Sequence, residues 1–167
     1  MTDESPGEPL AYRAPMRSPD DAVAPGIAVE RALAEGVCGM GGRLDSTPGS
    51  LTAALAAVAA RHGERAARRL ERFAALPTGT LVWTRDVDGL FWLGRLTGPW
   101  RYDDDPAAVA ADLMHVRACT WSSSPVAASD VPPGVTATFA RGGRNGQRIR
   151  TDGAGEQSSA LWERSLR

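Results

Sequence analysis

A chain of 167 residues is long enough for one ordinary domain with a single core and too short for two comfortable ones. Its 43% hydrophobic and 23% charged residues lie near the averages for folded globular proteins, which argues against disorder, collagen-like repeats and membrane spans. With a formal net charge of -1, a protein that grips a duplex mainly through phosphates is not expected, so any nucleic-acid binding must rest on a local patch or a pocket.

Every basic side chain that is not histidine is arginine, a bias better explained by a GC-rich genome than by function, so an arginine cluster here is weak evidence of phosphate binding. The two cysteines, Cys38 and Cys119, cannot build a disulfide framework, and the N-terminus has no apolar stretch of signal-peptide length. The longest apolar run, around Leu51 to Ala60, is far short of the ~20 residues of a transmembrane helix. A cytoplasmic protein with no membrane role is expected.

In chain order, 1–25 is crowded with Pro, Asp, Glu and Ser without apolar period and is expected to be a disordered tail. A single domain over 26–167 should follow. Ile27, Val29 and Leu33 open a short amphipathic segment, and the glycine-rich stretch Glu35 to Gly42 suits a strand entering a turn. Leu51, Leu55, Val58 and Ala59 have helical spacing, with Ser50 placed as the cap. A second helix follows Gly63, with Ala66, Leu70, Phe73 and Ala74 on one face and Arg65, Arg68, Arg69 and Arg72 on the other.

Beyond Pro77 the period becomes that of strands. Thr80 to Thr84 and Leu90 to Leu96, separated by Asp88-Gly89, form a hairpin signal. The run Asp103 to Asp105 before Pro106 starts a short helix to Leu113, and 114–121 alternates as a third strand with His115 and Arg117 on its polar face. The C-terminal third is loop-rich, with short elements at 135–140 and 147–150 and a terminal helix over 158–167.

No catalytic constellation emerges. A metal site needs about four ligands at suitable spacing, and no two of the histidines and cysteines lie closer than His115 and Cys119. Neither Gly-x-Ser-x-Gly nor a cysteine-protease signature is present, and Gly39 to Arg43 lacks the Gly-Lys-Ser/Thr end of a P-loop, so a tight turn is expected there. The expectation is a non-catalytic module without cofactor or metal.

What stands out is an aromatic and polar group between Trp83 and Trp121, a window holding four of the five tryptophans. Trp83 and Phe91 fit the interior of a small barrel. Trp92, Trp100, Tyr102, His115, Arg117 and Trp121 are the candidate base-binding pocket, because aromatics beside hydrogen-bonding groups can stack on a planar ligand and read its edge. Arg65, Arg68, Arg69, Arg72, Arg141, Arg144 and Arg148 are the candidate phosphate contacts.

The order of Gly79 to Trp83, Phe91 to Tyr102 and His115 to Trp121, with Glu35 to Gly42 upstream and Gln147 to Ile149 downstream, resembles the N-terminal recognition domain of Mrr-type restriction proteins. Gly42 and Thr80 depart from that family, which often has a tryptophan and an acid at these places. The resemblance implies an α+β fold: a small PUA/EVE-like mixed β-barrel with N-terminal helices packed against it, of the PUA, EVE and SRA group that receives modified or flipped bases. It implies nucleic acid as partner, DNA before RNA, in a restriction or defence setting where a separately encoded nuclease would act. The rival expectation is a protein-interaction or regulatory subunit whose barrel is only a scaffold, with a tryptophan-filled interior and an exposed apolar patch elsewhere.

Overall fold

In the computed structural model, which describes residues 10–141 and 147–166, Ser50 caps a helix as its position predicts: its Oγ accepts from the amide of Ala53 at 3.1 Å. That helix is α2 (Leu51–His62), and it turns at Gly63 into α3 (Glu64–Ala75). The other elements are β1 (Ala11–Arg13), α1 (Ile27–Glu35), β2 (Val37–Met40), β3 (Leu81–Arg85), β4 (Phe91–Tyr102), α4 (Pro106–Ala110), β5 (His115–Trp121), α5 (Pro133–Ala140), β6 (Gln147–Arg148) and α6 (Ala154–Ser165). No described helix is long and apolar enough to cross a membrane.

The strands form one mixed sheet in the order β2-β5-β4-β3-β1-β6. All neighbouring pairs are antiparallel except β1 with β3. Among the described residues β2 and β6 are its two edges, so the sheet is open and the expected barrel closure is not formed. An open sheet must cover its faces with helices instead, and two cores do this. One gathers Val29 and Ala32 of α1, Ala54 and Val58 of α2, and Leu70 and Phe73 of α3 with Val82, Leu96 and Cys119 of the sheet. The other gathers Val135 and Phe139 of α5 and Ala154 and Trp162 of α6 with Ala11, Leu81, Trp83 and Leu93. Adjacent residues of β3 thus enter different cores, which is why its sequence reads as a continuous apolar run.

The hairpin between β3 and β4 forms as expected, although Asp86 organises it: its Oδ1 accepts from the amides of Asp88 and Leu90, and Gly89 takes the positive φ of 83°. Past Leu96, β4 runs on to Tyr102 through an irregularity. Pairing jumps from Leu96↔Cys119 to Trp100↔Arg117, four positions along β4 against two along β5, so Thr97, Gly98 and Pro99 bulge opposite Ala118.

Two expectations are corrected here. The tail does not extend to residue 25, because Ala11–Arg13 is a strand between β3 and β6 and Ala11, Arg13, Ala14 and Met16 are buried. The guanidinium of Arg13 donates to the carbonyl and hydroxyl of Thr138 at 2.6 and 3.2 Å and to Gln147, so β1 is held by a buried cation that no hydrophobic pattern announces. Nor does β5 have a polar face turned to solvent. It lies inside the sheet, and His115 and Arg117 are 1% and 2% exposed.

Candidate functional site

Trp100 and Tyr102 of β4 and His115 and Arg117 of β5 were expected to help wall a pocket; the geometry closes this region instead. The indole Nε1 of Trp100 donates to Nδ1 of His115 at 3.2 Å, and Nε2 of His115 lies 2.8 Å from the carbonyl of Gly42. A carbonyl only accepts, so Nε2 carries the proton and both ring nitrogens are used. Burial lowers the pKa of His115 and keeps this ring neutral. Tyr102 meets the same imidazole edge-on at 5.2 Å, and its hydroxyl accepts from the amide of Leu44 at 3.0 Å. Together with Nε2 of His62 on the Arg43 carbonyl and Asp112 facing the Gly42 amide, these contacts pin the glycine-rich loop from within. A carboxylate against that amide leaves the loop unsuited to a phosphate.

Arg117 is equally occupied. Its Nε donates to the Gly98 carbonyl in the β4 bulge at 2.8 Å, and Nη1 to the carbonyls of Phe73 and Leu76 at 3.0 and 2.6 Å. These carbonyls close the end of α3, so the guanidinium ties helix to sheet and has no fork left for a base edge. Trp100, Tyr102, His115 and Arg117 are therefore brought together, but as an internal anchor. Sequence alternation marked them as a polar face because it cannot show that carbonyls of a loop and a helix end would cover that face.

Trp92 and Trp121 have a different setting. Both are half-buried and line an open groove of about 810 Å³ between the C-terminal part of α1 and the ends of β4 and β5, a size suited to a small planar ligand. Leu33, Ala34, Glu35 and Gly36 form one side, with Glu30 a turn earlier, and Cys119, Thr120, Ser122 and Ser123 form the other. Each indole N–H is already bonded, Trp92 to Asp86 at 2.9 Å and Trp121 to the Val37 carbonyl at 2.9 Å. The rings are thus fixed in place, and what they offer a ligand is carbon surface and π-density. Gly94 lets Trp121 lie close to β4, since a Cβ there would stand 2.6 Å from Cε3 of the indole. The serines after Trp121 and the two glutamates on α1 escaped the sequence analysis; the only available signal was the Ser122-Ser123-Ser124 run at a strand end.

The thiol of Cys119, which lines this groove, has its pKa raised by burial, and burial pushes Cys38 up to about 12, so both remain protonated and inert at neutral pH. Among the described residues no three His, Cys, Asp or Glu side chains converge as a metal site.

The arginines do not form one patch. Arg65, Arg68 and Arg72 are exposed along α3, Arg69 is half-buried there, Arg141 follows α5, and Arg148 lies on β6. Arg144 lies outside the described residues. A recess of about 40 Å³ beside Arg148, Arg150 and Asp152 has room for water and not for a base.

No protein-family model matches the chain, and no curated protein matches it. Among solved structures, the YTH domain of the Zygosaccharomyces rouxii MRB1 protein, in complex with N6-methyladenosine RNA, is similar to it. The two are 15% identical, the match covers 96% of this chain and 88% of that one, and the TM-score is 0.41. A likeness of that degree carries no argument about function.

Proposed function

We propose that this chain is a non-catalytic nucleic-acid-binding module that receives a modified or extruded base in the groove walled by Trp92 and Trp121. The observation that carries this reading is that two tryptophans, each immobilised through its indole N–H, share one open groove with the hydroxyl-bearing residues Thr120, Ser122 and Ser123. Rigid aromatic surface supplies stacking at little entropic cost, and hydroxyls can donate to or accept from a base edge. The exposed arginines of α3 supply the surface for sequence-independent phosphate contact. A restriction setting, a preference for DNA and a separately encoded nuclease are drawn from the sequence resemblance alone.

The test is a titration of the protein with modified and unmodified DNA and RNA oligonucleotides. Trp92→Ala and Trp121→Ala should each weaken binding by ~1–3 kcal/mol per stacked base and leave the fold intact. Wild-type protein that binds no member of the panel, or variants with unchanged affinity, would overturn the reading.

A second reading, a protein-interaction module, is favoured by one observation: Val87 and Leu90 at the tip of the β3–β4 hairpin are 71% and 47% exposed beside the Asp86 that holds Trp92. It requires that Val87→Ser with Leu90→Ser abolish a protein partner's binding while oligonucleotides show none.

A further inference from the structure

Charge at the groove narrows the class of base. Glu30 and Glu35 are exposed on its α1 side, and among the described residues neither has an ion-pair partner and no basic side chain lines the groove. The helix contributes in the same direction. Leu33 to Gly36 are the C-terminal end of α1, where the last carbonyls carry the negative pole of the helix dipole, and the last turn holds no basic residue to offset it. A phosphate is disfavoured along the α1 side of the groove. Tryptophan is the best aromatic partner for a cation, and both indoles present carbon surface because their N–H groups are engaged elsewhere.

We propose that the base this groove selects carries a positive charge at neutral pH, of the kind that methylation of a ring nitrogen gives to adenine or cytosine; this rests on the base-reading function proposed above. Such a base gains three attractions that its neutral counterpart lacks: the two carboxylates, the helix pole and the indole π-density. Methylation at N1 of adenine or N3 of cytosine also blocks the pairing edge, so extrusion from a duplex costs little. The phosphate chain must then run outside the groove, over surface not lined by Glu30 and Glu35.

The experiment is a fluorescence-anisotropy titration of the full chain with oligonucleotides carrying one N1-methyladenine or N3-methylcytosine, set against N6-methyladenine, 5-methylcytosine and unmodified controls, in DNA and RNA. A trimethyllysine peptide is included as a cation without a base. The cationic bases should bind about tenfold more tightly than the neutral methylated ones. The double variant Glu30→Gln with Glu35→Gln should cut that margin severalfold, leaving the part owed to the helix pole and the indoles, while binding to neutral bases persists and an unchanged melting curve shows the fold intact. Equal affinity for cationic and neutral methylated bases, still lost in Trp92→Ala, overturns the charge assignment and leaves the base-reading function standing. Binding of no oligonucleotide overturns both, and binding of the peptide alone overturns both in favour of a protein ligand.

Discussion

The indole of Trp100 donates to Nδ1 of His115 at 3.2 Å, with the two ring planes 23° apart and their centres separated by 6.1 Å. The rings lie side by side and are joined at their edges, not stacked face to face. Protonation of Nδ1 would place two donors against each other, so this relationship holds only with a neutral imidazole.

A pH dependence follows with a definite sign. Burial sets the folded pKa of His115 below the ordinary 6.5, so the unfolded chain takes up a proton that the folded chain refuses. The contribution of His115 to stability is therefore complete above pH 6.5 and declines as pH falls through that value. Nitrogen-15 NMR should show the His115 ring neutral, with the proton on Nε2, at a pH where a free imidazole is charged. A ring that titrates at 6.5 or above would contradict the assignment.

Arg117 predicts a loss of stability. Arg117→Ala strands the carbonyls of Gly98, Phe73 and Leu76, each costing about 1–3 kcal/mol if left unpaired, so a loss of at least about 3 kcal/mol is expected in denaturant unfolding. Arg117→Lys should rescue little, because a single ammonium cannot reach the β4 bulge and the end of α3 in the fork geometry of a guanidinium. A lysine variant of wild-type stability would show that only charge is needed at this position.

These residues mark where sequence stops being informative. The helices at Ser50 and after Gly63, the hairpin around Asp86 and the third strand were legible because cap, period and turn residues act locally. The openness of the sheet was not, since it depends on β1 and β6, a three-residue and a two-residue strand joined by pairing of Tyr12 with Arg148. The candidate pocket was half legible. Its aromatics stood out in the sequence as a group, but only a tertiary structure distinguishes Trp92 and Trp121, which face a groove, from Trp100 and Tyr102, which secure a loop.

The strand formed by Ala11–Arg13 makes the N-terminal segment structural. Ala11→Asp places a carboxylate in the core of α5 and α6, where Ala11 is 1% exposed, and should destabilise the protein by several kcal/mol, on the order of ~3. Arg13→Ala should cost about 1–3 kcal/mol through the lost bonds to Thr138 and Gln147. Thermal melts that match wild type for both variants would show that this strand adds nothing to the cooperative unit.

The arginines of α3 separate phosphate contact from a solvated helix face. Ala67, Leu70 and Phe73 turn inward, which leaves Arg65, Arg68 and Arg72 exposed with spacings of three and four residues, one row along the helix. If this row meets a nucleic-acid backbone, each arginine releases about one condensed counterion on binding, and affinity falls with rising salt in proportion to the number of contacts. Replacing all three by Gln should then weaken binding to modified and unmodified oligonucleotides alike and reduce the slope of log affinity against log salt by roughly two to three. Discrimination between bases, assigned above to the groove of Trp92 and Trp121, should be unchanged. A triple variant that keeps the wild-type salt slope would exclude α3 from the interface and leave the backbone contacts to be sought at Arg141 and Arg148.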